Sequence, residues 1–430
     1  MAAQGYSLTV RRIVAVAAAL SLSFAAVAQG GLRKDSPRRC GMNPEKLSQV
    51  DRVIEEAIAA KDIPGAVISV VRGDRIVYLK AYGDKSVVPE TEPMTTETMF
   101  DLASVSKCVG TTLSFMQLIE NGQVRLTDNV DRYIPDFKPW KDPQTGESVD
   151  ITIRDLLTHS SGLTPYINTA AFVNEYGENT PEELERHIAT EVKRNFRPGS
   201  DFMYSCLNFI TLQRIIERVT GERLYEYAQR NVFDVLGLRH TCYFPLTGEP
   251  AMGNSAELAR LCAPTEVQAD GKPLVAEVHD PMAQRIMGGN SGNAGVFSNA
   301  EDLSMICAAI MNGGALTDRK GNTLESTRIL NPATVRLMTT IPPQNDPSVG
   351  RALGWDKKSS HSGLRGDLFN PETTIMHTGY TGTSIVIDLE SKTAIVLLTH
   401  RVHPRDKGSV GRLRALVANI VAGSIIQEIE

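Results

Sequence analysis

Three short stretches carry residue types that do chemistry together. The first is Ser104-Val105-Ser106-Lys107, at the start of a helical pattern, where an i, i+3 spacing puts Ser104 and Lys107 on one face. A serine hydroxyl is a poor nucleophile until a neighbouring base takes its proton, and the positive end of a helix favours the developing alkoxide. A lysine in a dry pocket would have its pKa lowered enough to act as that base. The second stretch is Tyr204-Ser205-Cys206, before a helical run of Phe209, Leu212, Ile216 and Val219 that stops at Thr220-Gly221. Tyr204 would share the proton relay, because the Lys107 cation favours its phenolate. The third is His377-Thr378-Gly379-Tyr380, followed by Thr381-Gly382-Thr383 and a β-branched strand. Its glycine lets backbone approach a substrate closely, and a strand edge with an exposed N–H would lie along a peptide-like substrate and donate to an oxyanion. Taken singly, each has an ordinary reading: S-x-x-K arises by chance, a tyrosine packs, a lone histidine is structural. Their order and separation join them.

The elements that position these residues follow from periodicity. Pro44 to Lys61 reads as a helix through Leu47, Val50, Val53, Ile54, Ala57 and Ile58. Ala66 to Val71 and Ile76 to Tyr82 read as a hairpin about Arg72-Gly73-Asp74-Arg75. Ala103 to Glu120 suits a helix stopped by Asn121-Gly122, and residues 125 to 345 carry helix patterns with few clear strands. Near the end come strands Ser384 to Asp388 and Thr393 to Thr399, then a helix from Arg412 to Ile426. Strands at both ends and helices between them predict an α+β fold. In it one antiparallel sheet is built from both chain ends, is flanked by helices, and accepts an inserted, mostly helical region. Gly248 to Gly271 reads as a surface excursion.

Bulk properties exclude several classes. The 45 Lys and Arg against 50 acids, with no basic run interleaved with aromatics, give no nucleic-acid signal. Arg11 and Arg12, the apolar run Ile13 to Ala25 and Ala26-Val27-Ala28 describe a secretory signal peptide over residues 1 to 28, too short in its apolar part for a spanning helix. Residues 29 to 43 then form an N-terminal extension and 44 to 430 the folded domain. Loss of the two leader arginines takes the formal charge from -5 to -7. The expected location is periplasmic or secreted, with no stable membrane span after cleavage. Six scattered cysteines show no C-x-x-C spacing; Cys242 and Cys262 are the first guess should a bridge form. His400 and His403 lack the companions of a metal motif, so no metal and no cofactor is required. His159-Ser160-Ser161-Gly162 lacks a G-x-S-x-G elbow and reads as a structural turn beneath the site.

Together the three stretches resemble the S-x-x-K, Y-x-N and K-T-G motifs of penicillin-binding proteins and class C β-lactamases. Ile63-Pro64-Gly65, Leu156-Leu157-Thr158-His159-Ser160-Ser161-Gly162-Leu163, Ala263-Pro264-Thr265-Glu266, Val278-His279-Asp280 and Ala294-Gly295-Val296-Phe297-Ser298 resemble segments of the related serine hydrolases, over roughly residues 44 to 425. The resemblance implies the β-lactamase/transpeptidase-like fold. It implies Ser104 as acylated nucleophile, Lys107 as its activator and Tyr204 as second proton-transfer group. The backbone N–H groups of Ser104 and Tyr380 would form the oxyanion hole, with His377, Thr378, Gly379 and Cys206 around the substrate.

Two departures bear on substrate. Cys206 stands where the family has asparagine, and His377 stands where class C enzymes have lysine, so a permanent charge becomes one mostly neutral near pH 7. Both weaken the case for an efficient β-lactamase, and the histidine version resembles esterases and carboxypeptidase-like members. The expected function is an exported serine hydrolase working through a Ser104 acyl-enzyme on ester or D-alanyl-peptide substrates, including cell-wall muropeptides. A D-Ala-D-Ala carboxypeptidase, and a penicillin-binding sensor or scaffold that does not turn over, are the alternatives.

Overall fold

The computed structural model describes residues 31–248 and 250–427; the expected signal peptide lies outside them. Its principal sheet has seven strands: β1 (Arg33–Lys34), β2 (Gly65–Arg72), β3 (Arg75–Ser86), β4 (Glu92–Pro93), β5 (Thr374–Thr378), β6 (Ser384–Asp388) and β7 (Thr393–Thr399). They run in the order β1-β3-β2-β7-β6-β5, with β4 paired to β3. The junction of the two chain ends is the β2–β7 ladder, from Ala66 opposite Thr399 to Arg72 opposite Thr393. One pairing departs from the expected antiparallel pattern: β1, from the segment read as an extension, lies parallel to β3.

Strand alternation sorts side chains to two cores. From β2 and β7, Val67, Val71, Ala394, Val396 and Leu398 face the larger core with the inserted helical region, including α4 (Ala300–Met311). Ala66, Ile68, Val70, Ile395 and Leu397 face the other core, closed by α1 (Gln49–Ala59) and α5 (Gly411–Ser424). Ser304 on α4 donates to Ser69 on β2 at 2.8 Å, so the sheet's polar interruption is satisfied. Among the described residues no helix is long and apolar enough to cross a membrane.

Several boundaries differ from expectation for identifiable reasons. The first helix breaks at Ser48, separating a capped turn (Pro44–Leu47) from α1. The 103–120 helix is a 3-10 turn (Ala103–Val105), a π turn (Lys107–Thr112) and only then α2 (Leu113–Glu120). In the π turn Thr112 Oγ1 donates to the Lys107 carbonyl at 2.7 Å, a side-chain bond that competes with the regular helical ladder. The 248–271 stretch is only partly a surface excursion: it holds a helix (Ser255–Leu261), and Leu258 and Cys262 are buried with Met99, Cys242 and Phe297. Cys242 and Cys262 thus share a cluster, yet all six cysteines are free thiols.

Candidate active site

Ser104 projects from a turn held by the far end of the chain. Ala103 before it has φ +46°, a left-handed conformation that costs energy for a residue with a Cβ. The turn is gripped on three sides. Asp101 Oδ1 accepts the Ala103 N–H at 2.8 Å, Thr381 Oγ1 donates to the Asp101 carbonyl at 2.8 Å, and Thr383 Oγ1 donates to the Leu102 carbonyl at 2.8 Å. Buried Asp101 also accepts the His279 N–H at 2.7 Å. Gly379 is required in this contact: a Cβ there would stand 2.1 Å from Thr383 Oγ1 and 2.3 Å from the Leu102 oxygen.

Lys107 is fully buried. Its Nζ donates to Ser104 Oγ at 3.0 Å and to the Asn293 carbonyl at 2.8 Å, and lies 3.6 Å from Cys206 Sγ. The same ammonium sits 5.1 Å from the Tyr204 ring centroid and 5.8 Å from that of Phe209. Burial acts to lower the Lys107 pKa, as expected from the sequence, but negative charge on Cys206 or Tyr204 opposes it and prevails, so the pKa lies above the ordinary lysine value. This corrects the expectation of a lowered value. Burial likewise raises Tyr204 and Cys206. The protonation of Lys107 therefore depends on that of Tyr204 and Cys206, and Lys107 donates toward Ser104.

Tyr204 precedes α3 (Cys206–Thr220). His159 lies under it, ring centroids 4.4 Å apart, and the His159 Nδ1 accepts the Ser205 N–H at 3.1 Å. The proton of neutral His159 is therefore on Nε2, and burial with the nearby Arg351 and Lys107 charges holds its pKa well below the usual range. The turn read as structural braces the Tyr204 ring. Tyr204 Oη is itself buried, without a hydrogen bond among the described residues.

Ser104, Tyr204, His377, Thr378, Gly379 and Tyr380 border one cavity of about 300 Å³. Lys107 and Cys206 sit behind that wall, with Cys206 turned to the lysine. His377 Nδ1 donates to the Thr378 carbonyl at 2.9 Å, leaving Nε2 as a buried acceptor without a partner among the described residues. Burial, then Arg351 and Lys107, depress its pKa far below 6.5, so His377 is neutral.

Sequence reasoning missed Arg351, which borders the cavity and is 1% exposed. It pairs with buried Asp356 at 3.4 Å, its guanidinium carbon is 5.8 Å from the Phe202 ring and 5.9 Å from that of Tyr204, and its Nε and Nη2 have no hydrogen-bond partner among the described residues. The signal available was an arginine inside the apolar run Arg351-Ala352-Leu353-Gly354-Trp355. Arg401 and Arg414 also border the cavity and were missed.

Comparisons with known proteins identify the family. The family model described as Beta-lactamase matches residues 50–419. A protein of Escherichia coli (strain K12) named "Putative D-alanyl-D-alanine carboxypeptidase" is 32% identical over 402 residues, covering 90% of this chain and 89% of its own. The N-acetylmuramyl-L-alanine amidase of Bacillus subtilis (strain 168) is 31% identical over 375 residues, covering 84% and 82%. Among solved structures, EstCE1, described as a hydrolase with promiscuous acyltransferase activity, superposes with a TM-score of 0.66 at 25% identity, covering 88% of this chain and 99% of its own. With a sheet made from both termini, a serine and a lysine on one turn, and a family match across most of its length, the chain is a serine hydrolase of the Beta-lactamase family.

Proposed function

We propose that the protein is an exported D-alanyl carboxypeptidase that works through an acyl-enzyme on Ser104. Arg351 carries this reading. A buried guanidinium with two unsatisfied donors at a cavity wall is costly unless an acceptor arrives, and a carboxylate matches its planar fork. A substrate ending in a free carboxylate would satisfy it, recovering the charge that His377 does not supply. Arg11, Arg12 and the apolar run after them support export.

In this reading Ser104 Oγ attacks the penultimate D-alanyl carbonyl carbon, and its proton passes to the Lys107–Tyr204 pair once that pair has given up one proton. The Ser104 and Tyr380 N–H groups hold the oxyanion. The C–N bond then breaks, the pair returns a proton to the leaving amine, and water hydrolyses the Ser104 ester. The relatives named for D-alanyl and N-acetylmuramyl bonds support a cell-wall peptide substrate.

Acetylated peptides ending in D-Ala-D-Ala, with a free or an amidated C-terminus, test this. Ser104→Ala should abolish release of D-alanine. Arg351→Gln should raise KM for the free acid by roughly 10- to 100-fold and leave the amide unchanged. An active Ser104→Ala protein would overturn the mechanism. Equal use of acid and amide by wild type would favour the ester hydrolase that a neutral His377 also accommodates.

A further inference from the structure

Arg414 lies on α5, far along the chain from the three motifs, and borders the cavity. Its Nη2 donates to the Gly379 carbonyl at 3.1 Å and to the Thr383 carbonyl at 2.8 Å, while its Nε is buried without a partner among the described residues. Among the described residues it makes no ion pair with a carboxylate. Burial pushes its pKa down to about 10. A cation kept in such surroundings for two carbonyl contacts points to a task in the loop it holds.

The Gly379 carbonyl and the Tyr380 N–H belong to one peptide unit. That unit is trans, so the two groups point in opposite directions. The carbonyl also accepts the Gly382 N–H at 3.2 Å, so Arg414 and this turn bond together fix where the Tyr380 N–H points, and that N–H makes no hydrogen bond among the described residues. A second arginine steadies the next unit: Arg401 Nε donates to the Tyr380 carbonyl at 2.9 Å, and its guanidinium stands 4.6 Å from the Tyr380 ring centroid. Asp406 bonds both Arg401 and the Tyr380 hydroxyl. The Tyr380 side chain and carbonyl are thus anchored independently of Arg414, which alone of the two arginines holds the carbonyl of the 379–380 unit.

We propose that Arg414 is a positioning residue that keeps the Tyr380 N–H aimed into the cavity as a preformed oxyanion donor. This rests on the Ser104 acyl-enzyme reading. An oxyanion donor acts on the transition state more than on the bound substrate, so its loss appears in kcat. A residue that merely bound the substrate's carboxylate would appear in KM.

The experiment is steady-state kinetics of wild type, Arg414→Gln and Arg414→Lys on the D-Ala-D-Ala peptide and on 4-nitrophenyl acetate, with Ser104→Ala as control. Arg414→Gln should lower kcat by about 10- to 100-fold on both substrates with little change in KM, and Arg414→Lys, which keeps a charged donor, should recover part of the loss. An inhibitor that places an oxyanion in the hole, such as a boronic acid, should lose affinity in proportion to kcat/KM. Unchanged kcat in both variants, or a rise in KM alone, would overturn the proposal. If Arg414→Gln does not fold, Arg414→Lys with full kcat and full boronic acid affinity does the same. A Ser104→Ala protein that still turns over refutes the acyl-enzyme reading; an inactive Ser104→Ala with normal Arg414 variants refutes only the role of Arg414.

Discussion

Cys206 Sγ lies 3.6 Å from Lys107 Nζ, in the place where a side-chain amide would be expected. A thiol there influences both members of the proton-transfer pair in one direction, since negative charge on it raises the pKa of Lys107 and of Tyr204. The active form of the pair has one proton fewer than the resting form, so kcat/KM should rise with pH across the alkaline range. Cys206→Ala should move that rising limb toward lower pH. A profile that stays in place in a folded Cys206→Ala protein would reduce the thiol to a packing group.

Asp101 should matter to turnover although it does not border the cavity. Asp101→Ala leaves the Ala103 and His279 N–H groups buried without an acceptor, at about 1–3 kcal/mol each, and frees the turn that carries Ser104. Loss of stability in a urea titration, with kcat reduced on the order of 100-fold, is the expected result. Asp101→Asn keeps one acceptor oxygen and should fall between.

Gly379→Ala should fail in the same turn from the opposite side. Its Cβ meets Thr383 Oγ1 and the Leu102 oxygen at 2.1 and 2.3 Å, so backbone on one side has to move. Overpacking of this kind costs about 1–3 kcal/mol, and displacement of Ser104 relative to Tyr380 should reduce acylation by at least about 100-fold. Thermal melts and acylation kinetics on the same preparation separate the two effects.

Acid should destabilise the fold before most carboxylates titrate. His400 is buried, donates from Nε2 to the Lys85 carbonyl at 2.7 Å, and burial with His403 nearby holds its pKa at about 3. Below pH 6.5 the unfolded chain binds a proton at this residue that the folded chain refuses. Stability is then lost as pH falls, by about 1.4 kcal/mol per pH unit from His400 alone down to about pH 3. His159 and His377 act with the same sign. Urea midpoints that do not change between pH 6.5 and 5 would contradict this.

The sheet and the Ser104–Lys107 pair were legible because each follows from local sequence: β-branched runs in β2, β3, β6 and β7, and an i, i+3 spacing of the serine and the lysine. Strand β5 was not read as a strand, because its buried Thr374, Ile375, Met376 and His377 mix polar and apolar residues without alternation. Lys107 was read with the wrong sign of pKa shift because desolvation can be guessed from a motif, whereas the 3.6 Å approach of Cys206 to the lysine is set by the placement of α3. Arg351, Arg401 and Arg414 were illegible for the same reason. Each lies outside the three motifs, and only the closed sheet with α5 brings them to one cavity.

The β2–β7 ladder also sets a condition on how the protein is made. Ala66 finds its partner Thr399 only after the whole helical insertion between them has been made, so the strands made first wait with one edge unpaired until then. Pairings this distant in sequence form slowly, and the open edge is exposed to aggregation until they do. The nucleophile's turn, which hangs from Thr381 and Thr383, can be completed only after that closure. The turn that presents the reactive serine therefore depends on contacts from both halves of the sheet.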